Sequence, residues 1–82
     1  MTPVEELDAV YRAAEMHVDE LRQAVRYSEL TQLHLDHDDL LLNMVRASTA
    51  VLRAFLDQAE IDRDKAAEAV KVAWEAEQEK KI

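Results

Sequence analysis

The sequence predicts an all-α fold, and three observations carry the prediction. There is no glycine, and Pro3 is the only proline. Glycine is the usual source of positive φ in hairpin turns and bulges, so a compact β fold without it is disfavoured. Ala, Leu, Glu, Lys, Arg and Gln dominate the composition, and these residues favour helix. Apolar positions also recur in alternating steps of three and four, the period of helices that pack along a seam.

The first helix has a marked start. Thr2 is placed to cap, Pro3 suits the first helical position, and Glu5 follows three residues after Thr2 as in a capping box. Val4, Leu7, Tyr11, Ala14, Val18, Leu21 and Val25 then form a heptad seam, which Val10 widens. This predicts a helix over about 3–27, with Ser28 and Thr31 able to break it.

The segment His34-Leu35-Asp36-His37-Asp38-Asp39 crowds two histidines and three aspartates ahead of a leucine run. Asp36 can cap a second helix, with Asp38 and Asp39 in its first turn, where free N–H groups and the helix dipole favour carboxylates. Leu40, Leu41, Met44, Val45, Ser48, Val51, Leu52, Phe55 and Ala59 then give a broad apolar face, with Leu42 and Leu56 off its centre. The helix is expected over about 37–60.

Asp62 is expected to cap a third helix over about 63–80. Its stripe is thin: Ala66, Ala69, Val70 and Ala73, with Trp74 alongside to supply most of the buried area. Residues 1–82 then form a single helical domain. The expected architecture is a three-helix antiparallel bundle, or a hairpin with a closing helix. The middle helix is too apolar all round for two neighbours to cover, so dimerisation is expected to complete the core.

The charge is −8, from 10 basic and 18 acidic side chains. Nucleic-acid binders need a basic footprint, and anionic membranes attract basic segments, so neither direct partner is expected. No apolar run approaches the ~20 residues of a membrane span. The acidic start MTPVEELDAV lacks the apolar core of a signal peptide, which points to the cytoplasm. There is no cysteine, so disulfides and thiolate metal sites do not arise. Between Arg26 and Arg46 there is no Lys or Arg, so Asp36, Asp38 and Asp39 form an acidic stretch that could dock a basic protein surface.

Two further clusters bear on chemistry. On a helix, His34, His37 and Asp38 have spacings that can present ligands to a divalent metal. Histidine at an interface would instead make assembly sensitive to pH near neutrality. Glu15, Asp19, Arg22 and Arg26 form a ridge that reads as a salt-bridged flank, Asp19 with Arg22, or as an acidic wall for magnesium.

Asp36-His37-Asp38-Asp39 followed by Leu40-Leu41-Leu42-Asn43-Met44, with the stretch from Ile61-Asp62 to Val70, resembles the second half of the all-α nucleoside triphosphate pyrophosphohydrolases, the MazG-type enzymes. Residues 36–80 carry the resemblance. It implies magnesium-dependent cleavage between the α and β phosphates by water. Asp39 would bind metal and Asp36 would stand where the family has Glu. The family's first acidic motif would fall on Asp19 and Glu20, with Gln23 in place of a carboxylate.

The reading that residue chemistry favours is a small acidic interaction module, not an enzyme. It would self-associate or dock on a protein partner, as an inhibitor or adaptor of the phage or mobile-element kind. Leu21, Val25, Leu41, Met44, Leu52, Phe55 and Trp74 are the expected interface anchors, and no cofactor is needed. Magnesium enters only with the pyrophosphohydrolase alternative.

Overall fold

The computed structural model describes residues 2–35 and 39–81, which form two long helices. Helix α1 spans Pro3–His34 and α2 spans Asp39–Lys80. The expected cap is present: Thr2 is extended, and its Oγ1 accepts from the Glu5 N–H at 3.2 Å. At the other end the Leu35 N–H donates to the Gln32 carbonyl, closing the last turn of α1 with a tight bond.

Arg22 on α1 reaches Glu60 on α2, and Glu29 pairs with Arg53. One partner's number rises as the other's falls, so the helices run antiparallel. The molecule is a hairpin measuring 67 × 15 × 14 Å. The 42 residues of α2 account for nearly all of that length at ~1.5 Å each.

The seam follows a strict heptad. On α1 its members are Val4, Leu7, Tyr11, Ala14, Val18, Leu21, Val25, Ser28, Gln32 and Leu35, all buried or half-buried. On α2 they are Leu42, Val45, Thr49, Leu52, Leu56, Ala59, Arg63, Ala66, Val70, Ala73 and Glu77. Val18 is the most enclosed apolar side chain, 1% exposed, and Val25 and Ala59 are also buried.

Three sequence expectations are corrected here. The helix expected to stop near residue 27 continues to His34. Ser28 turns its hydroxyl across the seam to Thr49, and Thr31 donates back to the Tyr27 carbonyl four residues earlier. Both polar side chains are thereby accommodated inside a helix. Second, the described residues form no third helix: α2 runs unbroken through Ile61 and Asp62. Asp62 accepts from the Gln58 side chain one turn earlier, an intrahelical link at 3.0 Å. The heptad steps Ala59, Arg63, Ala66 pass through the expected boundary without a phase change, so the packing gives no reason to stop. The architecture is a two-helix hairpin. Third, the centre of the packed face of α2 lies on Leu42, Val45, Leu52 and Leu56, whereas Leu41, Met44, Val51 and Phe55 face solvent.

Among the described residues no helix is long and apolar enough to cross a membrane.

Candidate functional site

A two-helix antiparallel seam has two edges, formed by the heptad positions that flank it. The two edges of this hairpin have opposite character. One carries Asp8, Glu15, Arg22 and Glu29 from α1 and Arg46, Arg53, Glu60 and Trp74 from α2. The interhelical pairs Arg22–Glu60 and Glu29–Arg53 lie here. All four side chains are substantially exposed, so each pair contributes only a few tenths of a kcal/mol, up to ~1. Arg46, Arg53, Gln32 and Asp57 line an open depression on this edge, together with Thr49, Ala50 and Ala54.

The opposite edge is uncharged over its loop-proximal half. From α1 it receives Ala24, Tyr27 and Thr31, and from α2 Leu41, Met44, Ser48, Val51, Phe55 and Gln58. The α2 residues Leu41, Met44, Ser48, Val51 and Phe55 repeat the three–four spacing of the seam, displaced by one residue. This helix therefore carries two adjacent apolar stripes, and α1 covers one of them. Phe55 remains 59% exposed, and Met44, Val51 and Tyr27 are also more than half exposed. Ala47, Ser48, Val51 and Leu52 line an open, largely apolar depression.

Between the edges, near the loop end, lies a polar layer that sequence reasoning missed. Thr49 is 3% exposed. Its hydroxyl donates to the Val45 carbonyl at 2.8 Å and accepts from Gln32 Nε2 at 2.7 Å. With its one proton so used, it is the acceptor of the 2.5 Å bond from Ser28. One donor and two lone pairs are all that a hydroxyl has, so Thr49 is fully satisfied. No described buried side-chain polar atom lacks a partner. The signal was available: continuing the α1 heptad past Val25 reaches Ser28 and Gln32, and the α2 heptad reaches Thr49.

The expected interface anchors divide into three groups. Leu21, Val25 and Leu52 are consumed in the intramolecular seam. Leu41, Met44 and Phe55 share the apolar edge. Trp74, about half exposed, lies on the charged edge near the open end, away from the other three.

The candidate metal ligands are placed less favourably. His34 is the last residue of α1 and is exposed; His37 and Asp38 lie outside the described residues. Asp36 also lies outside them, and Asp39 is the exposed first residue of α2. Asp19 and Glu20 are exposed in the middle of α1. Asp19 precedes the end of α1 by fifteen residues, about 22 Å along the axis, whereas Asp39 opens α2 at that end. One chain does not bring Asp19 and Asp39 together. Among the described residues no group of three His, Asp or Glu side chains could hold a metal ion.

On the Glu15 ridge, Arg22 reaches across to Glu60, and its expected pairing with Asp19 does not form. Glu15 accepts from the Tyr11 hydroxyl at 2.6 Å. That bond to a carboxylate holds the Tyr11 pKa above its ordinary value. Arg63 occupies a seam position, and its guanidinium bonds Asp64 through both Nε and Nη2, which raises its pKa further. Comparison with protein-family models, with characterised proteins and with solved structures finds no match to this chain.

Proposed function

We propose that this chain is a helical protein–protein interaction module whose working surface is the apolar edge around Val51 and Phe55. The observation that carries the reading is the run Met44, Ser48, Val51 and Phe55 on α2, which repeats the seam's spacing and stays exposed. A lone exposed leucine needs no explanation, but a contiguous apolar stripe on a small protein marks a binding surface. Helix-in-groove and helix-on-helix docking both read such a stripe through its three–four spacing.

Net charge adds selectivity. A chain of −8 repels other acidic surfaces wherever charge meets charge, so close contact is confined to the uncharged edge. Docked on a heterologous target, the module would serve as an adaptor or inhibitor.

The experiment is photo-crosslinking from position 55. A benzophenone amino acid in place of Phe55 should yield light-dependent protein adducts in cells that make the protein, and the same group at Arg12, on the outer face, should not. Absence of any adduct from position 55 refutes the module.

The competing proposal, a magnesium-dependent pyrophosphohydrolase, rests on the resemblance of residues 36–80. Release of pyrophosphate from mixed nucleotides with Mg²⁺, abolished by Asp39→Asn, would support it; no release would remove it.

A further inference from the structure

We infer that the occupant of the apolar edge is a second copy of this chain, so that two hairpins close edge to edge into a four-helix bundle. This rests on the interaction-module reading and names its partner.

The first argument is area. A compact protein of 9.4 kDa exposes about 5,000 Å². This chain exposes 6428 Å², an excess of about 1,400 Å². That excess exceeds the roughly 800 Å² per partner that a standard complex buries. A two-helix hairpin alone has one seam and no enclosed core, whereas a four-helix bundle gives every helix two neighbours.

The second argument is charge. Each copy carries −8, so two copies approach each other only through a surface free of charge. The edge provides one: from Ala24 to Thr31 on α1 and from Leu41 to Gln58 on α2 it holds no Asp, Glu, Lys or Arg. The Arg22–Glu60 and Glu29–Arg53 pairs lie on the far edge and stay in solvent. A basic target would instead call for carboxylates within the contact, and the edge has none in this half. An isologous contact uses the same patch on both copies and closes at two.

Light scattering on the purified full chain tests the proposal over about 1–100 µM, the affinity range that interfaces of this size readily reach. The wild type should show twice the 9.4 kDa chain mass. Val51→Ser with Phe55→Ser should halve the observed mass while the far-ultraviolet helix signal persists, because both residues lie outside the seam. Trp74→Ser removes an exposed aromatic from the opposite edge and should leave the mass unchanged. A second measurement needs no variant. Added salt screens the repulsion between two acidic chains, so the dissociation constant should fall several-fold between ~0.05 and ~0.5 M salt.

A monomeric wild type overturns the proposal, as does an open or larger assembly. So does a dimer insensitive to Val51→Ser/Phe55→Ser, or one weakened by salt. The crosslinking at position 55 separates the two readings. A heterologous adduct from a chain that is monomeric when pure leaves the module standing and removes the second copy. No adduct of any kind removes both.

Discussion

Replacing Thr49 by Val should destabilise the hairpin, although it exchanges a buried hydroxyl for a methyl group. Thr49 Oγ1 accepts from Ser28 and Gln32 and donates to the Val45 carbonyl. The Val45 carbonyl keeps its ordinary helical partner, so that loss is small. The two donors lose their acceptor. Each bond contributes about 1 kcal/mol net, and the orphan penalty is moderated because Ser28 and Gln32 are only half-buried. The added methyl returns up to about 0.8 kcal/mol. The expected cost of Thr49→Val is therefore on the order of 1–2 kcal/mol. Replacing the whole layer, Ser28→Ala with Gln32→Leu and Thr49→Val, leaves no orphan and adds apolar burial. That variant should exceed the wild type by about 1–3 kcal/mol, since removing both ends of a polar contact is often neutral or favourable. Urea unfolding followed by helix ellipticity measures both, at one fixed chain concentration because association also contributes. A Thr49→Val chain as stable as the wild type, or a triple variant less stable than Thr49→Val, would refute the reasoning.

Other expected outcomes follow from the same contacts. Val18→Ala opens a cavity at the most enclosed point of the seam and should cost about 2 kcal/mol, whereas Val10→Ala, at a position 58% exposed, should change stability by less than about 0.5 kcal/mol in the same urea experiment. Arg53→Ala removes an exposed partner of Glu29 and should cost under ~1 kcal/mol, a difference that shrinks further at high salt. The raised pKa of Tyr11 means that the folded chain holds this proton more tightly than the unfolded chain. The stabilisation is fully present below the ordinary tyrosine value of about 10 and is lost as pH rises through the higher folded value. In a Tyr27→Phe background, ultraviolet titration of Tyr11 should show a midpoint above that of free tyrosine, and Glu15→Gln should lower it. An unmoved midpoint would mean that the Tyr11–Glu15 bond does not persist in solution.

The helical class, the Thr2 cap and the α1 seam were legible in the sequence because each depends on local chemistry or on a single helix's period. The course of α2 was not. Ile61-Asp62-Arg63-Asp64-Lys65 looks like a boundary because aspartate is a good cap, yet nothing in it opposes helix, and the heptad phase carries on through Ala59, Arg63 and Ala66. The packed face of α2 was displaced by one residue for a related reason. With two adjacent apolar stripes, the hydrophobicity of one helix does not say which stripe faces α1, and Met44 and Phe55 fall near the middle of the combined face. The seam instead selects the stripe containing Thr49, whose hydroxyl has partners waiting on α1. Trp74 could not be placed from its own helix, because which edge it occupies depends on the pairing with α1.

The position of the polar layer also orders the hairpin in time. Gln32 and Thr49 are 17 residues apart in the chain, whereas Arg22 and Glu60 are separated by more than twice that. Closing the shorter loop costs less entropy, so the contact beside Thr49 can form first and the rest can zip outward toward the termini. Toward those termini the α2 side of the seam thins to alanines, Ala66 and Ala73. Amide exchange should therefore slow progressively from the two chain ends toward Thr49. The clasp would sit at the loop, leaving the far ends of both rods free to fray and re-form while the hairpin stays shut.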